Sequence, residues 1–206
     1  MFSDHSRRRA LSLTELLVGV AVASVLMALS LPVLLRLRTK GNSAKCSGTL
    51  RQWGMAFQLY ANENNMKLPT APGSPVWQEL VASRLVTGKA GQLRFELRKF
   101  TCPNDKKQYD SWGYGLNLWL KPDYYPQAPR KITDIQSPSR FVILVDSEAS
   151  GVSSATAASP PAKVSGVFYD RHGGSANFLF ADMHIKFLTA REAREKSLDS
   201  ELIFKQ

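Results

Sequence analysis

At 206 residues the chain is sized for one domain with a helical extension, not for two full domains. Lys and Arg total 27 against 17 Asp and Glu, a formal charge of +10, and 44% hydrophobic with 21% charged residues excludes a disordered or collagen-like chain. Two cysteines are too few for a disulfide-built scaffold or a four-thiolate zinc site, and a mean hydropathy of −0.20 excludes a polytopic membrane protein.

In chain order, Arg7-Arg8-Arg9 closes a short polar leader, and from Leu11 to Leu35 the only charged residue is Glu15. Leu16 to Leu35 is an uncharged run of twenty residues. As a helix it spans roughly 30 Å, the thickness of a bilayer core. A buried core helix seldom stays apolar on every face over such a length. Basic residues flank the run on both sides, so local charge leaves the orientation open. The long C-terminal part translocates largely regardless of its charge, which puts Met1 to about Ala10 in the cytoplasm and everything after Leu35 outside. A cleavable secretory signal would have an apolar core of about 7–15 residues; this run is longer, and Glu15 falls near its start.

An ionisable group at the membrane boundary costs up to about 3 kcal/mol unless it finds a partner. Cutting the chain before Leu11 creates an amine four residues from the Glu15 carboxylate. In a bundle of many copies, one subunit's amine can meet its neighbour's glutamate. The alternative is a glutamate that snorkels to the headgroups.

Ala10-Leu11-Ser12-Leu13-Thr14-Glu15-Leu16-Leu17, behind its basic leader, resembles the processing site of type IV pilins and type II secretion pseudopilins. The resemblance implies cleavage between Ala10 and Leu11 by a prepilin peptidase, N-methylation of Leu11, Glu15 as the assembly residue and Pro32 as the helix kink. It also implies other pilin or pseudopilin subunits and an inner-membrane assembly platform as partners. Ala10 and Leu11 stand where the family usually carries glycine and phenylalanine.

After Leu35 the helix is predicted to continue, with Leu50, Trp53, Phe57 and Tyr60 on one face and Asn62, Asn64, Asn65 and Pro69 as stop signals. Pro69 to Pro75 reads as a loop and Trp77 to Leu85 as a short helix. Leu93 to Arg98 alternates like a half-buried strand, and Phe141 to Val145 is an apolar run expected at the centre of a sheet. Gly151 to Lys163, Ser/Ala-rich with Pro160-Pro161, reads as a flexible surface loop. Val164 to Tyr169, Ala176 to Ala181 and His184 to Leu188 are further strands, and the chain from Arg191 onward is helix-prone.

The segment Cys46 to Pro69, together with Phe100-Thr101-Cys102-Pro103-Asn104-Asp105, resembles a pseudopilin-like family of planctomycete-type bacteria. That family carries a C-terminal motif of histidine, nine residues, then Asp-Gly. His172 and Asp182 have this spacing, with Met183 in the glycine position, where an Asp-Gly type turn demands positive φ.

His172, Asp182 and His184 invite a metal hypothesis, but Asp182 and His184 lie two apart with no cysteine or second carboxylate nearby. No metal or cofactor is expected, and His172 is read as a hydrogen-bonding residue fixing the loop before the hairpin. Outside the membrane, Cys46 and Cys102 form either a disulfide between the helix and the Cys102-Pro103 loop or two separate thiols. Ser43, Ser47 and the three histidines form no spaced nucleophile set, so no catalytic residue is assigned. Arg84, Lys89, Arg94, Arg98, Lys99, Lys106 and Lys107 concentrate positive charge without a nucleic-acid fold signature, so nucleic acid is not expected as a partner.

The expectation is an α+β, pilin-like protein: a long N-terminal helix, transmembrane in its first half, packed in its second half against a mainly antiparallel β-sheet. Residues 1–10 form a cytoplasmic leader, 11–35 the transmembrane and assembly helix, and 36–206 the extracytoplasmic domain. The expected function is that of a structural subunit of a pilus-like filament or secretion pseudopilus, anchored by a single pass in the inner membrane. The alternatives are a secreted or membrane-anchored metal-dependent enzyme using His172, Asp182 and His184, and a DNA-binding minor pilin.

Overall fold

The computed structural model describes residues 13–69, 77–86, 98–105, 113–121, 125–147, 151–154, 164–165, 167 and 170–198. Ala10 and Leu11, most of the 69–75 loop and the Pro160-Pro161 segment lie outside them, as does the strand expected over 93–98 apart from Arg98, which opens a 3-10 turn (Arg98–Phe100) instead. The chain divides into two compact units, Met1–Gly41 and Asn42–Gln206.

In the first unit, helix α1 (Leu13–Glu63 over its whole length) is dominantly apolar from Leu13 to Leu31 and exposed at every position there. This 19-residue stretch is a single candidate membrane span among the described residues. Its two serine hydroxyls are satisfied inside the helix: Ser24 Oγ donates to Val20 O and Ser30 Oγ to Leu26 O, both at 2.7 Å. Such back-bonding keeps polar groups off the apolar surface. Pro32 lies within α1. It contributes no N–H to the helical ladder.

In the second unit, the face of α1 carrying Cys46, Leu50, Trp53, Phe57 and Ala61 is buried, and Tyr60 is half-buried. The expected stripe is therefore the core face. Helix α2 (Trp77–Ala82) closes over it, with the Trp77 ring edge-on to Trp53 at 5.0 Å. The helix ends where the asparagines predicted it: Asn65 and Met66 take positive φ, and Met66 N donates to Ala61 O.

The sheet has six strands: β1 (Tyr114–Asn117), β2 (Val142–Asp146), β3 (Gly151–Ser154), β4 (Val164–Ser165), β5 (Ser175–Phe180) and β6 (Ile185–Thr189). Their order is β4-β3-β1-β2-β5-β6. The β1·β2, β2·β5 and β5·β6 pairs form an antiparallel block of four strands. β3 adds parallel to β1, and β4 antiparallel to β3.

The loop expected over 151–163 is thus a strand over its first four residues, because β1 offers Leu116 and Asn117 as partners for Gly151 and Val152. Every residue of β1, β2 and β5 is buried, as in a sheet covered on both faces. Ile143, Leu116 and Leu179 belong to the α1-side core. Val142, Val145, Ala176, Phe178 and Phe180 pack with Ala193 of helix α3 (Ala190–Leu198). A capping box starts α3: Glu192 N donates to Thr189 Oγ1, while the Glu192 carboxylate accepts from Thr189 N. Those bonds hold the Glu192 carboxyl below the usual carboxylate range.

Candidate functional site

The strongest concentration of buried polar groups sits where α1, the Cys102 loop, β1, β2 and the start of β5 meet. Each of these elements supplies a side chain that its local sequence alone would not bury. Cys46 on α1 is bonded to Cys102, with Cα atoms 4.8 Å apart. Of the two arrangements open from sequence, the structure has the disulfide.

Arg171, in a 3-10 turn just before β5, is the cationic centre of this junction. Its guanidinium donates to Gly113 O at 2.5 Å and Ser147 O at 2.8 Å, and pairs with Asp105 at 3.1 Å. Its own carbonyl accepts from Asn104, which in turn accepts from Asn42 of α1. The guanidinium can reach both carbonyls because Gly113 adopts φ +78 and has no side chain; a Cβ there would lie 3.1 Å from Arg171 Nη1 and from Cys102 Cβ. Isolated buried charge is costly, so the Arg171–Asp105 pair persists only with this set of additional bonds.

His172 follows directly. Its side chain is fully buried, with Nδ1 3.1 Å from Ser43 Oγ and Nε2 3.3 Å from Asp146 Oδ2. Nε2 is also 3.6 Å from Cys102 Sγ. Asp146 Oδ2 accepts from Asn177 N at 2.7 Å and Asn177 Nδ2 at 2.8 Å, whereas Oδ1 is buried with no hydrogen-bond partner among the described residues. The ligand atoms of Cys46, Cys102 and His172 lie within 4.8 Å of one another. Above them Tyr114, on β1, donates its hydroxyl to Cys46 O at 2.8 Å. Burial, with the nearby Asp146 carboxylate adding to it, pushes the Tyr114 phenol well above its ordinary pKa.

Ser43, His172 and Asp146 therefore stand in line, as nucleophile, base and orienting acid do in hydrolases. The serine, however, is on Nδ1 and the carboxylate on Nε2, and the ring that would hand a proton to a leaving group is sealed in the interior. The arrangement ties α1 to β2, through a hydrogen bond between Ser43 and His172 and a close polar contact from His172 to Asp146.

His172 and Asp182, ten positions apart, do not meet. They sit at opposite ends of β5, whose six residues extend roughly 20 Å. Asp182 instead pairs with His184 Nδ1 at 2.5 Å, and His184 stacks on Phe180 with ring centroids 4.2 Å apart. The three residues weighed as a metal set are thus split between two places. His172 does more than fix a local loop, since it reaches α1 and β2.

The hairpin after β5 also differs from the two-residue turn expected at Asp182-Met183. Ala181, Asp182 and Met183 make a three-residue connection in which Met183 N donates to Phe180 O and Met183 takes φ +70. The methionine holds this left-handed position while its side chain packs on the core beside Gly54.

Of the basic residues singled out, Arg84 pairs with Glu63 and lies over the Tyr60 ring at 5.1 Å. Lys89, Arg94, Lys106 and Lys107 lie outside the described residues. A shallow cleft of about 680 Å³, lined by Trp119, Pro126, Pro129, Arg130, Lys131 and Gln136, shares no residue with the junction.

Sequence reasoning singled out His172, Cys46 and Cys102 but missed Arg171, Asp105, Asp146 and Asn177. The chain matches no protein-family model, no curated protein and no solved structure.

Proposed function

We propose that this chain is a structural subunit of a type IV pilus-like filament or type II secretion pseudopilus, with a pilin-like architecture. A prepilin peptidase would cut between Ala10 and Leu11 and methylate Leu11. The mature subunit would then stay in the inner membrane by a single pass, domain outward, until the assembly platform adds it to neighbouring subunits.

The observation that carries this reading is the Leu13–Leu31 stretch: dominantly apolar, exposed at every position, and with Glu15 as its only charge. Such a surface must be covered by lipid or by other apolar helices. A single carboxylate in its first turn suits a contact with a neighbour's N-terminal amine. The disulfide-tied head suits an oxidising, extracytoplasmic compartment.

Mass spectrometry of the mature N-terminus tests the processing, with a methylated Leu11 expected. An intact Met1, or a start after Ala28-Leu29-Ser30 as a cleaved secretory signal would leave, refutes the reading. Glu15→Ala is expected to insert and be processed but fail to assemble; normal filament recovery from that variant would remove the role given to Glu15.

A further inference from the structure

We propose that reduction of the Cys46–Cys102 disulfide turns the junction into a Zn²⁺ site whose ligands are the two thiolates, His172 Nε2 and the Asp146 carboxylate. The inference is independent of the filament reading. In a tetrahedral zinc site with Zn–S of about 2.3 Å and Zn–N and Zn–O of about 2.0–2.1 Å, the N···S edge is about 3.6 Å and the N···O edge about 3.3 Å. The structure has His172 Nε2 at 3.6 Å from Cys102 Sγ and 3.3 Å from Asp146 Oδ2. Two edges of the polyhedron are therefore already at zinc length. Once the S–S bond is broken, the two sulfurs must part to about 3.7 Å, and the remaining separations among the Cys46, Cys102 and His172 ligand atoms, all within 4.8 Å, must close to the same edge lengths.

The surroundings are those of a built metal site. Ser43 Oγ sits on His172 Nδ1, where it can accept the Nδ1 proton and leave the Nε2 lone pair for the metal. Asn177 grips Asp146 Oδ2 with two hydrogen bonds, and the carboxylate's other oxygen is buried with no hydrogen-bond partner among the described residues. Two thiolates and a carboxylate around Zn²⁺ and one neutral imidazole leave a net charge of −1, with the Arg171 guanidinium one residue away. The chemistry balances in two steps. A dithiol reductant is oxidised to its disulfide as Cys46 and Cys102 become thiols; Zn²⁺ then displaces the two thiol protons to solvent. Thiol–disulfide exchange with an oxidised dithiol, which is reduced to its two thiols as the Cys46–Cys102 bond re-forms, releases the ion.

The test uses the full-length chain in detergent micelles, oxidised or reduced with a phosphine that is removed before metal is added. One Zn²⁺ per reduced chain is expected by elemental analysis and chelator competition, and none per oxidised chain. Co²⁺ in place of Zn²⁺ should give the intense visible bands of a tetrahedral site with a sulfur-to-cobalt charge-transfer band, which assigns the thiolates without any substitution. His172→Ala should weaken binding by more than about 100-fold, and Ser43→Ala by about 10- to 100-fold with both thiols still titratable. The proposal is overturned if the reduced chain takes up no metal, or if the oxidised chain takes up as much. A cobalt spectrum without the thiolate band, or unchanged affinity in His172→Ala, overturns it as well. So does a fold lost on reduction that Zn²⁺ does not restore.

Discussion

Replacing both cysteines, Cys46→Ala with Cys102→Ala, removes the covalent tie without leaving a thiol or a buried hydroxyl. The disulfide joins residues 56 apart. The chain-entropy relation gives about 14 cal/mol/K of denatured-state entropy removed by closing such a loop, or about 4 kcal/mol at 25 °C. Against a total stability of about 5–15 kcal/mol for a domain, that is a large share. For a domain of this size it corresponds to a fall in Tm of roughly 8–16 °C.

Urea denaturation followed by tryptophan fluorescence, with a chelator present to exclude metal, measures it, since Trp53 and Trp77 both lie in the core. The reduced wild-type chain should lose about the same amount as the double variant, because both lose the same loop constraint. A loss below about 1 kcal/mol, or a reduced chain as stable as the oxidised one, would refute the loop-closure reasoning.

Arg171→Met should destabilise by about 3–5 kcal/mol, because it strips the buried Asp105 of its ion pair and two carbonyls of their donor. Adding Asp105→Asn should recover part of that, and a double-mutant cycle with no coupling would contradict the pairing. Gly54→Ala places a Cβ 3.1 Å from Leu179 Cδ1 and 3.3 Å from Met183 Sδ. Crowding of these packed side chains costs about 1–3 kcal/mol, the gain from removing a glycine from a helix interior offsets about 1 kcal/mol, and a net loss of up to about 2 kcal/mol is expected in the same denaturation assay. Tyr114 supplies a pH dependence. Its folded pKa is raised, so its contribution is fully present below pH 10.0 and declines above it, by about 1.4 kcal/mol per pH unit, as the unfolded phenol ionises. Tyr114→Phe should lose about 1 kcal/mol at neutral pH and show a shallower alkaline decline; parallel wild-type and variant profiles would contradict this.

The α1 core face was legible because Leu50, Trp53 and Phe57 repeat at helical spacing, and β2 because an apolar run bounded by polar residues leaves few other readings. β5 and β6 likewise declared themselves by composition. β1 did not: Tyr114–Asn117 is four residues long, contains Gly115 and follows Gly113, so its extended state depends on β2 and β3 at its sides. β3 is similar, a small-residue segment made a strand by its partner.

The junction was the least legible part. Its members come from separate stretches of chain, and Arg171-His172-Gly173-Gly174 reads locally as an exposed basic turn. Nothing in that tetrapeptide announces that Gly113 and Ser147 turn their carbonyls toward the arginine. Met183 shows the opposite failure. The turn rule asks for glycine there, but side-chain packing against the core holds a methionine in the left-handed region.

The position of the ties along α1 determines how the head takes a mechanical load. Ser43 and Cys46 lie within the first five residues after Gly41, well before the seam formed by Leu50, Trp53, Phe57 and Ala61. Tension arriving through the chain before Asn42 meets a covalent bolt to the Cys102 loop and the polar contacts through His172 to strand β2. The apolar seam beyond is spared the pull and cannot be peeled residue by residue from its N-terminal end. With the bolt reduced, the same force would fall on hydrogen bonds and side-chain packing, which yield far more easily than a bond between sulfurs.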